Sequence, residues 1–447
     1  MSALPPGPRS PRPFQTLKWI WKPIPFMRAC AKAYGDAFTI RLIGAPPLVF
    51  CSQPAAVKEI FTGDPDILRA GRGNELLRFV FGPNSVVLLD GARHRRERKL
   101  LMPPFHGERM RLYGGIMREI TDRSIDDWPV EQVFPIHKYM QQITLDIILR
   151  TVFGVDEDET LSRLRALLVE FLGLFGSSPL LLIRRLHVNL GPLTAWKRIV
   201  ELGREIDRLL YDEIGRCKKD DLQERTDIMA MLVAARDEDG QPMTDDEIRD
   251  ELITMLVAGH ETTATSLSWV VHRLLQNPDV LAEAQAEVAS VNGNGSEGRE
   301  VTAEQIAELN YLDAVIKETA RLNPILPIVT RYLEAPRRIG DHDLPAGCVV
   351  SPCIYLTHRR PDVWPEPETF KPERFVDTRV DPYTFFPFGG GLRHCLGAAF
   401  AGYEMKIVLA RMLSRAVLRP EPAYTVRVVR RGITFAPSGG LPVIRGA

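Results

Sequence analysis

The chain has 447 residues, 45% of them hydrophobic and 26% charged, which is material enough for a large folded core. Basic and acidic residues both number 57, so the formal net charge is zero and nucleic acid is not expected as the main partner. No apolar run nears the roughly 18 to 20 residues of a membrane span, and Met1 to Pro8 lack the regions of a secretory signal, so a cytoplasmic location is expected.

In chain order, residues 1–25 are proline-rich and predict an extended segment. Phe38–Ile43 and Leu48–Cys51 alternate around Gly44-Ala-Pro-Pro47 and predict a hairpin. Helical spacing of apolar positions follows over Ile143–Val152, Trp196–Ile214 and Ile248–Leu275. Thr244-Asp-Asp-Glu247 fits a capping box at the start of the last of these. At about 30 residues, or roughly 45 Å, that helix has to cross the molecule. Asn292–Gly298 reads as a surface loop. Beyond Leu322 strands and proline turns dominate, a last helix follows Cys395, and the end is strand again. No repeat or linker interrupts the chain, so one domain over residues 1–447 is expected, mainly α with small antiparallel β-sheets, an α+β fold.

The six cysteines, Cys30, Cys51, Cys217, Cys348, Cys353 and Cys395, are too scattered for a disulfide framework. Cys348 and Cys353 stand near His342 and His358, though in no usual zinc spacing. Cys395 differs, because it lies in Phe388-Gly-Gly-Gly-Leu-Arg-His-Cys-Leu-Gly397. In a glycine-rich turn before a helix, backbone amides and the helix N-terminus favour a thiolate. Glycines also let the backbone pass close to a flat ligand. By average residue frequencies this pattern arises by chance in on the order of one chain in ten thousand. It resembles the haem-binding loop of the cytochrome P-450 superfamily.

Other motifs keep that family's order. Glu318-Thr-Ala-Arg321 resembles its E-x-x-R and Pro372-Glu-Arg-Phe375 its P-E-R-F, which implies a buried triad of Glu318, Arg321 and Arg374. Ala258-Gly-His-Glu-Thr-Thr263, inside the long helix, looks like the oxygen-activating A-G-x-E-T-T. Thr262 can bond the carbonyl three or four residues earlier and loosen the helix. Glu261 is a carboxylate in an apolar stretch, which is costly without a partner or a task. His260 points roughly 200° away from Thr262 and reads as a packing or hydrogen-bonding residue.

The resemblance implies the cytochrome P-450 fold, with haem b between the long central helix and the Cys395 loop and last helix. Cys395 is then the axial thiolate and iron ligand, and Ala258, Phe388, Gly389, Arg393 and Gly397 border the haem. His94, Arg98, Arg331 and Arg393 match propionate-binding positions, while Glu261 and Thr262 relay protons. The implied activity is that of a monomeric monooxygenase using O2, with electrons passed from NADPH or NADH through a separate ferredoxin reductase and ferredoxin. Arg95, Arg96 and Lys99 are expected to attract that acidic partner, unless they form only a solvated helix face.

By the same analogy the pocket draws on residues 76–89, 167–183, 255–262, 325–329 and 432–435, with Leu76, Val86, Leu174, Met255, Ala258, Ile328 and Thr434 facing it. These are nearly all apolar, which suits a hydrophobic substrate. Phe171–Ile183 reads as a lid, a membrane-touching lip or plain core. The prolines and tryptophans from Leu4 to Pro25 resemble a cyanobacterial and myxobacterial branch whose members oxidise fatty acids and terpenes. Two other readings stay open. One is a peroxide-driven oxygenase or hydroperoxide isomerase of the same fold, and the other a non-catalytic haem-binding sensor.

Overall fold

The structure, a computed structural model, describes residues 4–105, 108–154, 159–178, 196–222, 225–292 and 303–447. Its main element is the central helix Asp245–Gln276, 32 residues and about 48 Å long at 1.5 Å per residue. The capping box is formed: Thr244 N donates to Glu247 Oε2 at 2.9 Å, and Glu247 N to Thr244 Oγ1 at 3.2 Å. Two amides that a helix start leaves orphaned are thereby satisfied. Leu252, Ile253, Thr265 and Ser268 are buried on different sides of this helix, because other elements surround it. It packs along Ile136–Phe153, and two side-chain contacts hold the pair in register. His260 Nδ1 meets Thr144 Oγ1 at 2.9 Å, and His137 Nδ1 meets Ser268 Oγ at 3.0 Å. His260 is thus a buried hydrogen-bonding residue of the helix interface.

Charge anchors the start of the central helix. Arg96, on the helix Gly91–Leu101, reaches Asp237 at 2.6 Å and Glu247 at 3.4 Å. Asp250 Oδ2 accepts the Asn84 N–H at 2.7 Å, and Glu251 Oε1 accepts that of Val86 at 2.6 Å. These bonds fasten the segment around Val86 onto the helix, so a pocket-lining loop is set by helix carboxylates.

The largest sheet orders its strands Ala37–Ile40, Leu48–Cys51, Val349–Pro352, Arg331–Leu333 and Leu68–Arg69. The predicted hairpin is its edge, with Ala37 opposite Cys51 and Ile40 opposite Leu48. The sheet is mixed rather than wholly antiparallel, because Leu48–Cys51 and Val349–Pro352 run parallel. A smaller C-terminal hairpin pairs Val428–Arg431 with Thr434–Pro437. Among the described residues no helix is long and apolar enough to cross a membrane.

The N-terminal expectation needs correcting. Within residues 1–25 only the first part is extended, and Thr39 N bonds Pro6 O at 2.9 Å. Helices then run over Arg12–Trp21 and Pro23–Tyr34. Their prolines sit in the first turn, where the missing N–H has no intrahelical partner anyway, so proline starts these helices instead of breaking them.

Candidate functional site

The cysteine loop is built by two left-handed glycines, Gly389 at φ 70° and Gly391 at φ 63°. Cys395 N donates to Phe388 O at 3.0 Å and closes the turn, and Gly397 caps the helix Ala398–Arg415. The glycines serve two ends. A Cβ on Gly390 or Gly391 would strike Phe61, so these two let the loop pack against its neighbour. A Cβ on Gly397 would meet nothing within 4 Å, so only this one leaves open room beside the sulfur.

Cys395 is exposed by surface area, yet burial pushes its pKa up. The sulfur thus keeps free surface while protein atoms crowd around it. The Gly397 N–H and the charge of Arg98 pull the pKa back down without winning. The expectation that backbone amides and the helix N-terminus favour the thiolate is therefore incomplete. A coordinating cation at the sulfur removes the remaining cost.

Around the loop lies an excess of positive charge, part of it buried. Arg393 pairs with Asp90 at 2.5 Å and donates to Val86 O at 3.0 Å. Arg98 donates to His394 O at 2.8 Å, and Arg331 to Thr330 O at 2.9 Å. Burial, then repulsion by Arg393 on Arg331 and by Arg98 on Arg393, lowers both groups to about 10. His94 falls to about 3, by burial and then by Arg393, Arg98 and Arg331, so it is a neutral imidazole. Three guanidinium groups set against the single carboxylate of Asp90 suit an anionic group. A cavity of about 390 Å³ touches His94, Arg331 and Arg393 but not Cys395, Glu261 or Thr262. Asp64 and Pro65 also line it, so it is a cleft beside these cations and apart from Cys395 and Thr262. A flat anionic macrocycle whose metal meets Cys395 fits these residues, which is what haem requires.

Behind the loop, Glu318 and Arg321 have no exposed side-chain surface and pair at 2.7 Å. Arg374 Nε stands 3.5 Å from Glu318 Oε1, so the expected triad is assembled. Arg321 also donates to the carbonyls of His358 and Pro367 at 2.8 and 2.7 Å. His358 in turn accepts the Phe386 N–H at 3.0 Å, carrying the order on to the cysteine loop. No motif announces His358, because a lone histidine in a turn has many readings.

On the central helix Thr262 Oγ1 donates to Ala258 O at 2.6 Å, as its position predicts. A Cβ on Gly259 would rest on Ile148 at 3.7 Å, so this glycine faces the neighbouring helix. Glu261 has the partners that its burial demands. Gln141 Nε2 donates to Oε2 at 2.7 Å, Arg431 Nε stands 3.3 Å from Oε1, and His137 Nε2 3.8 Å from it. Burial alone would raise this carboxyl, but His137, His260 and Arg431 outweigh it and hold the pKa near 2. Gln141, His137 and Arg431 come from distant sequence and carry no motif of their own.

The expected pocket residues come from five segments. Val86 and Met255 are buried, while Leu76, Leu174, Ala258 and Ile328 are partly so. Thr434 is buried with its hydroxyl given to Arg431 O at 2.8 Å, so it offers a ligand little hydrogen bonding. Phe435 N bonds Ile325 O at 2.9 Å, which joins the segment before Ile328 to the C-terminal hairpin. Of the proposed lid, Phe171 and Leu172 are core, Leu174 to Gly176 are partly buried, and residues 179–183 lie outside the described residues. The basic helix face is also revised: Arg96 is spent on Asp237, Glu247 and Glu97, and Lys99 pairs with Glu238 at 2.5 Å.

Residues 5–435 match the family model described as Cytochrome P450. The chain is 40% identical over 445 residues to putative cytochrome P450 135B1 of Mycobacterium tuberculosis, covering 96% of this chain and 90% of that one. It is 35% identical over 444 residues to putative cytochrome P450 138 of Mycobacterium bovis, covering 99% and 96%. A retinoic-acid-bound cyanobacterial CYP120A1 structure superposes with a TM-score of 0.87 at 26% identity, covering 100% of this chain and 99% of that one.

Proposed function

The chain belongs to the cytochrome P450 family, a haem-thiolate monooxygenase, and from that premise we propose that it oxidises a fatty acid or terpenoid with electrons from a separate ferredoxin and its reductase. The carrying observation is a thiol in a glycine-built loop with cations beside it, together with an acid–alcohol pair on the central helix. In this reading residues 1–447 form one haem domain, acting as a monomer. Cys395 ligates the iron, and His94, Arg98, Arg331 and Arg393 hold the propionates. When bound, the haem supplies the oxygen chemistry, inserting one atom of O2 into a C–H or C=C bond.

The chain's own residues supply pose and protons. Thr262 Oγ1 spends its proton on Ala258 O and so accepts hydrogen bonds on its other side. Glu261 is a proton carrier that is ionised at rest, and it picks up a proton on moving away from Arg431. A peroxide-driven enzyme or a haem sensor has no use for this pair. The apolar Val86, Leu174, Met255 and Ile328 favour a hydrophobic substrate. The likeness to a retinoic-acid-bound protein favours an isoprenoid or fatty acid over a polar one.

Titration of the holoprotein with fatty acids, terpenoids and steroids, followed by the Soret band, tests the substrate class. A shift to high spin with one class identifies it, and silence from both fatty acids and terpenoids refutes the proposed classes. NADPH oxidation through a ferredoxin system separates an oxygenase from a sensor.

A further inference from the structure

The N-terminal helix Arg12–Trp21 is turned partly inside out. Two of its inward residues are polar. Buried Gln15 accepts the Arg41 N–H at 2.8 Å and donates to Ser10 O at 2.6 Å, and buried Thr16 accepts the Ile43 N–H at 3.0 Å. Its outward residues are large and apolar: Phe14, Leu17 and Trp21 are 59%, 51% and 64% exposed. At about 100° per residue these three lie within about 60° of one another, opposite the buried side. Scattered apolar residues on a surface are ordinary, but three in one stripe mark an interaction face.

The charge around that stripe has one sign. Arg9, Arg12, Lys18, Lys22, Arg28 and Lys32 precede the first acidic residue, Asp36. Arg28 pairs with Glu368 at 2.7 Å, and the other five make no ion pair among the described residues. A second copy of the chain would set these cations against themselves across a two-fold interface. An anionic lipid surface satisfies both halves of the pattern, with rings and leucine in the acyl boundary and ammonium groups on phosphates.

The stripe also lies close to the pocket wall. The Arg430 guanidinium sits 4.8 Å over the Trp19 ring and donates to Trp19 O at 3.1 Å. The same hairpin places Arg431 on Glu261 and turns at Gly432, whose N–H bonds Gly176 O at 3.3 Å.

We propose that residues 12–22 dock this protein on the surface of an anionic bilayer, with Phe14, Leu17 and Trp21 inserted and Lys18 and Lys22 on the headgroups. The helix lies on the membrane and does not cross it, since its 10 residues are half of what a span needs. This goes beyond the catalytic reading and depends on no particular substrate.

Flotation of the holoprotein with vesicles tests it, using phosphatidylcholine alone and phosphatidylcholine mixed with phosphatidylglycerol. Binding is expected to the mixed vesicles only, and to weaken as salt rises. Each basic residue near such a surface is worth about fivefold in binding, so Lys18→Glu with Lys22→Glu loses roughly 25-fold or more. Phe14→Ser, Leu17→Ser and Trp21→Ser together lose about tenfold or more. Both variants keep the wild-type haem absorption, because these side chains face away from the core. Three results overturn the proposal: no binding to either vesicle, variants that bind like wild type, or a concentration-dependent dimer that the triple variant abolishes.

Discussion

Arg431 Nε stands 3.3 Å from Glu261 Oε1, so a residue of the C-terminal hairpin holds the carboxylate of the central helix. Together with His137 and His260 it keeps Glu261 near pKa 2, ionised throughout the working range. Because the pKa is depressed, the stabilisation is present above the ordinary carboxylate range and lost as pH falls through about 2. Arg431→Gln moves that loss to higher pH and brings the carboxyl closer to a useful proton carrier. Product formation in the variant should rise about two- to tenfold as pH drops from roughly 7 to 5.5, where wild type stays flat. Matching pH–rate profiles for the two proteins would remove Arg431 from the control of Glu261.

Thr262 holds its proton on Ala258 O and presents an acceptor next to Glu261. In Thr262→Ala, NADPH is still consumed, but product per NADPH falls about tenfold or more and hydrogen peroxide takes its place. Thr262→Ser, which keeps the hydroxyl, restores most of the coupling. Quantifying peroxide beside product reads this directly, and tight coupling in the alanine variant would exclude Thr262 from proton delivery.

Arg321 carries its charge with no exposed surface, balanced by Glu318 and backbone carbonyls. Removing one partner leaves the other charged and buried, so Arg321→Ala should cost about 3–5 kcal/mol. Arg321→Lys should rescue little, since one ammonium cannot span Glu318 and two carbonyls at once. Urea unfolding and haem content of the purified variants check both statements.

His260 is fully buried, and burial lowers its pKa from 6.5 to about 4. A base with a lowered folded pKa binds fewer protons folded than unfolded between those values. Its contribution therefore shrinks as pH falls from about 6.5 towards 4, costing roughly 2 kcal/mol by pH 5. His260→Gln, which keeps a partner for Thr144, should lose less stability than wild type between about pH 7.5 and 5. Parallel acid sensitivity of the two proteins would assign the acid loss to other groups.

Much of this site is legible in the chain because its constraints are local. The Cys395 loop, the capping box at Thr244 and the Thr262 hydroxyl depend on residues within ten positions, where backbone geometry ties each type to a place. The same locality misled at the N-terminus, where prolines in the first turn of two helices were indistinguishable from prolines in an extended segment.

Sequence alone determined the long helix and the family, and it singled out the Cys395 loop and the Glu261–Thr262 pair as candidates, since local spacing and motif order are enough for each of these. Only the tertiary structure decided who clasps Glu261, which charges balance Arg96, and that Phe14, Leu17 and Trp21 face outward. Those outcomes join side chains from 120 residues apart, as for Gln141 and Glu261, to 170 apart, as for Arg431. At such separations burial and partner choice are settled by packing, which no local spacing encodes.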